Sequence, residues 1–110
     1  MNEKLIDSIQ WNNEGLIPCV TQHYLTNEIL MLAWVNKESL ILTLKTKYAH
    51  YFSRSRKKIW KKGETSGNFQ NVKKLKIDCD LDTLLMLVDQ KNGIACHTGA
   101  PSCFFNEIII

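Results

Sequence analysis

No apolar run in this 110-residue chain is long enough to cross a bilayer. The longest, Ile29 to Val35, falls well short of the ~20 residues a spanning helix needs. The first ten residues, MNEKLIDSIQ, mix charges and lack the apolar core of a secretory leader, so no signal peptide is expected. Repeats, low-complexity tracts and linker-like stretches are missing as well. These absences point to a soluble, cytoplasmic protein with no membrane partner. At 45% hydrophobic content, the length suits one compact domain over residues 1–110 rather than two. A reducing compartment makes the cysteines ligands or core residues rather than disulfides.

The net charge of +3 is modest, but the positive residues are uneven. Arg54, Arg56, Lys57, Lys58, Lys61 and Lys62 fall within nine residues, a run that suggests a phosphate or nucleic-acid site and equally fits a solvated surface strand. The loop Gly63-Glu64-Thr65-Ser66-Gly67-Asn68 follows directly. Its glycines and small hydroxyl residues let backbone N–H groups approach an anion, although a plain hairpin turn explains it as well. It lacks the lysine arrangement of a P-loop.

The remaining pattern reads as an α+β, mainly β fold with one main helix. Ile17 to Tyr24 and Glu28 to Val35 are apolar and β-compatible with Thr26 and Asn27 between them, which predicts a hairpin with Cys19 packed in its first strand. Asn36 before KESLILTLKTK predicts an N-capped helix with Leu40, Ile41 and Leu44 on its apolar side. Residues 1 to 15 fit a short helix ending by Gly15. Strands are expected over Tyr48 to Ser53, Lys58 to Lys62 (with Trp60 in the core), Phe69 to Ile77 and Leu84 to Val88. An Asn92-Gly93 turn and a returning strand Ile94 to Cys96 would bring Cys96 back towards the aspartates.

The stretch Asp78 to Cys103, DCDLDTLLMLVDQKNGIACHTGAPSC, concentrates the chemistry. In an extended chain, Asp78, Asp80 and Asp82 would share one face while Cys79 pointed to the other. Hard carboxylates suit Mg²⁺ and thiolates suit Zn²⁺. Six residues separate Cys96 from Cys103 and sixteen separate Cys79 from Cys96, unlike the paired C-x₂-C of a zinc finger. Three cysteines without an obvious fourth match zinc sites that keep a position open for water, while His97 beside Cys96 could instead close the site. Aspartates at a turn and cysteines in a core explain each residue singly; taken together, metal binding explains them better. A calcium EF-hand is excluded, since Thr83 stands where its glycine is required and LLMLV follows.

The runs SRSRKKIWKKGETSGNFQNV, DCDLDTLL and ACHTGAPSCFF, in this order and spacing, resemble the phosphoribosyl-AMP cyclohydrolase family of histidine biosynthesis. The resemblance covers Ile17 to Phe105. It implies hydrolytic opening of the purine N1–C6 bond of phosphoribosyl-AMP by a compact, mainly β, intertwined homodimer needing Zn²⁺ and Mg²⁺. It further implies Mg²⁺ on Asp78, Asp80 and Asp82, and Zn²⁺ on Cys79, Cys96 and Cys103, with the zinc site shared between subunits. His97 is the candidate proton donor, with a surface or supporting role as the alternative. Arg54, Arg56 and Lys62, with Ser66, Gly67 and Asn68, are the candidates for the substrate's two phosphates. A nucleic-acid-binding zinc module leaves the aspartates without purpose, and a structural zinc protein leaves GETSGN unexplained, so no nucleic-acid partner is expected.

Overall fold

The computed structural model describes residues 3–110; residues 1 and 2, the start of the expected 1–110 domain, lie outside the described residues. The short helix α1 (Glu3–Asp7) precedes the hairpin β1 (Leu16–His23) and β2 (Ile29–Asn36). Asn27, at a φ of 64°, supplies the left-handed residue in the turn between them. Helix α2 (Lys37–Thr46) follows without a loop because Asn36 serves both elements. Its side chain accepts the N–H of Ser39 at 2.8 Å, and Ser39 Oγ accepts the N–H of Asn36 at 2.9 Å. Such a capping box is worth about 1 kcal/mol. Leu40 is buried and Leu44 half-buried against the core, as expected, but Ile41 is 39% exposed. It turns from the sheet to a shallow depression beside Ile6 of α1.

Strands β3 (His50–Ser53), β4 (Lys58–Lys61), β5 (Gln70–Ile77) and β6 (Leu84–Gln90) complete one sheet in the order β4-β3-β2-β1-β6-β5. Only β1 and β6 run parallel; all other neighbours are antiparallel. The ends of the sheet also approach each other. Ala49 donates its N–H to Gln70 O at 3.0 Å, Val72 donates to Lys47 O at 2.7 Å, and Tyr48 bridges Asn71. These bonds curl the sheet into a half-barrel around Ile17, Cys19, Val35, Tyr51, Met86 and Val88. The result is a single, mainly β domain with few helices, and no described helix is long and apolar enough to cross a membrane.

The returning strand expected over Ile94 to Cys96 does not form. β6 already pairs with β1 on one edge and β5 on the other, so it has no free edge for a hairpin partner. Instead β6 runs into a single 3₁₀ turn, Lys91–Gly93, and then into irregular chain. Cys96 therefore stays beyond the far end of β6 and does not return to the aspartates.

A polar chain runs through the core with one direction fixed throughout. Gln90 Nε2 donates to the carbonyls of Asn68 at 3.0 Å and Phe69 at 3.3 Å, so its Oε1 must accept, and it does so from Gln70 Nε2 at 2.8 Å. Gln70 Oε1 in turn accepts the Tyr51 hydroxyl at 2.5 Å, leaving Thr21 to donate to Tyr51 at 2.8 Å. Every buried polar side-chain atom among the described residues is partnered.

Candidate active site

The aspartates do not sit on a strand. Asp78 to Thr83 form the turn joining β5 to β6, closed by the Asp78 N–H to Thr83 O at 3.0 Å, with Leu81 at a φ of 61°. The Asp78 carboxylate causes this departure from the extended expectation: its Oδ1 accepts the N–H groups of Asp82 at 3.0 Å and Thr83 at 3.2 Å. An aspartate that satisfies backbone donors locally competes with the strand ladder. The turn still gathers the carboxylates, whose ligand oxygens on Asp78, Asp80 and Asp82 lie within 4.8 Å of one another on the exposed surface. The Asp82 N–H holds the Asp78 carboxyl below its ordinary range. Desolvation, and then the negative charge of Asp78, pushes Asp82 above it. Three crowded hard oxygens are a donor set suited to Mg²⁺.

Cys96 and Cys103 form a second cluster. Cys96 lies in a tight loop in which the N–H groups of Ala95 and Cys96 both reach Ala100 O, at 3.2 and 3.1 Å. Cys103 is fixed to the start of β2 by its N–H to Leu30 O at 2.7 Å, with Ser102 Oγ donating to Ile29 O at 2.7 Å. The Thr98 hydroxyl donates to Cys96 Sγ at 3.1 Å, which is the main cause of a thiol held below its usual range. Cys103, a free thiol like Cys96, shifts upward, first through burial and then through its hydrogen bond with Cys96. Lys62 faces both, its charge favouring each thiolate, while its Nζ donates to Ala95 O at 2.5 Å. A thiolate pair beside a cation fits a soft metal such as Zn²⁺.

The three cysteines expected at one metal do not meet within a chain. Cys79 lies on the aspartate turn before β6, and Cys96 lies beyond its end. A seven-residue strand spans roughly 20 Å at about 3.3 Å per residue, far more than the ~4 Å between thiolates sharing a zinc ion. Among the described residues, the aspartate trio is the sole cluster of three or more potential ligands at metal spacing. Cys19 takes no part: it is fully buried, and burial pushes its thiol up to about 12.

The expected substrate residues separate into three places. Lys62 is at the thiols. Arg54 stacks its guanidinium 4.5 Å above the Trp34 ring, and exposed Arg56 donates its backbone N–H to Ser53 Oγ at 3.2 Å. In the glycine loop, Gly67 uses its N–H on Gly63 O at 2.8 Å and Asn68 uses its own on Ser66 Oγ at 3.1 Å, so neither is free for an anion in this conformation. Gly63 is required there: at a φ of 86° an added Cβ would lie 2.5 Å from Phe69 N and 2.6 Å from Asn68 C. His97 is exposed in the turn directly after Cys96.

Sequence reasoning missed Thr98, Trp34 and the chain from Thr21 through Tyr51 and Gln70 to Gln90. For the glutamines a signal existed, since Gln90 continues the inward parity of Leu84, Met86 and Val88. Polar residues in such a register mark a buried network.

A half-barrel that carries ionisable clusters before and after one central strand has the layout of a small enzyme rather than of an inert structural module. A family model described as phosphoribosyl-AMP cyclohydrolase matches residues 31–105. The phosphoribosyl-AMP cyclohydrolase of Archaeoglobus fulgidus is 59% identical over 100 residues, covering 91% of this chain and 92% of that protein. The Nitrosospira multiformis phosphoribosyl-AMP cyclohydrolase is 50% identical over 108 residues, covering 98% and 83%. The histidine biosynthesis bifunctional protein HisIE of Prochlorococcus marinus is 54% identical over 108 residues, and there the chain spans 48% of its length. The chain belongs to the phosphoribosyl-AMP cyclohydrolase family.

Proposed function

We propose that this chain opens the purine ring of phosphoribosyl-AMP hydrolytically in histidine biosynthesis, at an active centre built from two copies of the chain. Water adds at C6, the N1–C6 bond breaks with its electron pair going to N1, and N1 takes up a proton. The water oxygen becomes the carboxamide oxygen of the formimino aminocarboxamide ribotide. The observation that carries the two-copy reading is the separation of Cys79 from Cys96 and Cys103 by the length of β6.

In this reading Cys96 and Cys103 of one subunit, with Cys79 of the other, would hold Zn²⁺. Asp78, Asp80 and Asp82 would hold Mg²⁺. A zinc ion so held would supply Lewis acidity that brings the pKa of a bound water to about 7. The protein's own groups do the rest. Thr98 and Lys62 keep Cys96 towards its thiolate form, and Lys62 also fixes the Ala95 carbonyl next to it. Exposed His97, adjoining Cys96 in sequence, would deliver the proton to the departing ring nitrogen. Arg54 and Arg56 would supply charge for one phosphate group, with Ser66, Gly67 and Asn68 of the separate glycine loop beyond β4 as the candidates for the other. The setting is a cytoplasmic homodimer acting on a small phosphorylated nucleotide rather than on nucleic acid.

The test is direct: incubate the purified protein with phosphoribosyl-AMP, zinc and magnesium, and follow the purine ultraviolet band. A shift as the ring opens is expected. An unchanged spectrum would overturn the proposal.

A further inference from the structure

The central strands are apolar on both faces of the sheet. Cys19, Thr21, Val35, Tyr51, Met86 and Val88 are fully buried on the inner face, with Trp60, opposite Tyr51, on the same side. Alternation then turns their neighbours Val20, Leu32, Trp34, Phe52, Leu85 and Leu87 outward. The register sets these side by side: Val20 stands between Leu32 and Leu85, and Trp34 opposite Phe52. Leu32 is 49% exposed and the other five are partly so. Both helices pack on the inner side, where Ile6, Ile9, Leu40 and Leu44 join the core, so neither covers this band. An antiparallel sheet with one face in water carries polar residues there, whereas strands covered on both sides read as continuous apolar runs. Here β2 reads ILMLAWV and β6 reads LLMLV. Charge frames the band: Lys74 and Lys76 of β5 pair with Leu87 and Leu85, and Arg54 stacks on Trp34. An apolar centre inside a charged rim is the layout of a protein contact.

The two thiol positions show what covers it. The Cys79 turn lies before β6, and Cys96 lies beyond its end, where Cys103 is also tied to the start of β2. Two copies of one sheet face can stack about a two-fold axis lying in the contact plane. An axis along the strands would put like ends together, Cys79 against Cys79. An axis across the strands reverses them, laying β6 on the partner's β6 with opposite ends in register. We propose that the outer face of β3-β2-β1-β6 stacks on the same face of a second copy in this reversed sense, with the axis crossing near Leu87, the middle residue of β6. The inference rests on the two-copy reading above and names the surface and orientation that reading requires. Each Cys79 turn then comes over the partner's Cys96 loop, and the acidic trio approaches the end that carries Lys62, so the charges are complementary. Sheets so stacked lie about 10 Å apart, with the band as the shared core.

The test is sedimentation equilibrium of the full-length protein with zinc and magnesium, which reads mass and not turnover. Wild type should sediment as a dimer. Leu87→Asp and Leu87→Lys each set two like charges together at the axis, so either alone should raise the dimer Kd about a hundredfold or more. Mixing the two variants should restore the dimer, because opposite charges then meet; such rescue requires that residue 87 face its own copy. Leu32→Glu should also weaken the dimer, whereas Ile41→Lys, on the helical side of the fold, should leave it intact. Circular dichroism separates lost association from lost folding, and Leu32→Glu, at a site already half exposed, decides the matter if the Leu87 variants unfold. Folded Leu87 and Leu32 variants that remain as dimeric as wild type would give the face to another occupant and overturn the proposal. Dissociation by Ile41→Lys alone would move the interface to the helices, and Leu87 variants that stay apart when mixed would overturn the reversed stacking. A wild type that is monomeric would instead remove the two-copy reading itself, whereas a dimer indifferent to the band removes only this surface.

Discussion

Lys62, at the end of β4, reaches across the fold so that its Nζ donates to the carbonyl of Ala95, directly before Cys96. Its neighbour Lys61 lies instead over the rings of Tyr48 and Phe69, at 4.6 and 4.7 Å. Two adjacent lysines in one basic run thus have different work, and only Lys62 bears on the thiols.

Lys62→Met keeps most of the aliphatic length and removes the charge and the donor. The Cys96 and Cys103 thiols should then ionise at higher pH, because the charge that favours their thiolates is gone. The pH profile of thiol alkylation in metal-free protein should move upward, and kcat/KM should fall by about tenfold or more. An unmoved alkylation profile would remove Lys62 from the site.

Tyr51→Phe removes the hydroxyl that donates to Gln70 and accepts from Thr21. Both partners are buried, so the variant should lose roughly 1–3 kcal/mol of stability, measured as a lower urea midpoint at unchanged slope. Adding Thr21→Val should cost less than its own single effect, since the hydroxyl it removes has already lost its partner. Additive losses would mean that the chain is not coupled.

Cys19 makes stability depend on alkaline pH. Its folded thiol titrates at about 12 against an ordinary value of 9.0, so between these values the unfolded chain has lost a proton that the folded chain retains. Stability is therefore fully present below pH 9 and declines as pH rises towards 12, by roughly 1.4 kcal/mol per unit for this group. Tyr51, raised by burial in the same way, acts in the same direction above pH 10. Cys19→Ala should flatten the decline relative to wild type in urea melts between about pH 8 and 10.5. Parallel declines would assign the alkaline loss elsewhere.

The elements legible in the sequence were those set by neighbouring residues. The Asn36 cap, the β1–β2 hairpin and the strand around Trp60 depend on local contacts and formed where expected. The strand predicted over Ile94 to Cys96 failed because Asn92-Gly93 is a local signal, whereas the availability of an edge on β6 depends on its parallel pairing with distant β1. The aspartates were placed together for the wrong reason: alternation suggested a strand face, but Asp78 bonding to the backbone made a turn. The Arg54–Trp34 stack and the Lys62–Ala95 bond join segments far apart in the chain, and no spacing rule anticipates them.

The separation of Cys79 from Cys96 and Cys103 leads to the measurement that bears most directly on the proposed two-copy active centre. Cys79→Ser and Cys96→Ser chains, each inactive alone, are unfolded and refolded together with zinc and magnesium, and phosphoribosyl-AMP turnover is followed. In a two-fold dimer with shared zinc, a mixed pair gathers both defects in one site and leaves the other intact. Random pairing makes about half the dimers mixed with one good site of two, so turnover should return to about a quarter of wild type refolded in parallel. Mixtures that form heterodimers yet remain inactive, while wild type recovers under the same conditions, would contradict the account.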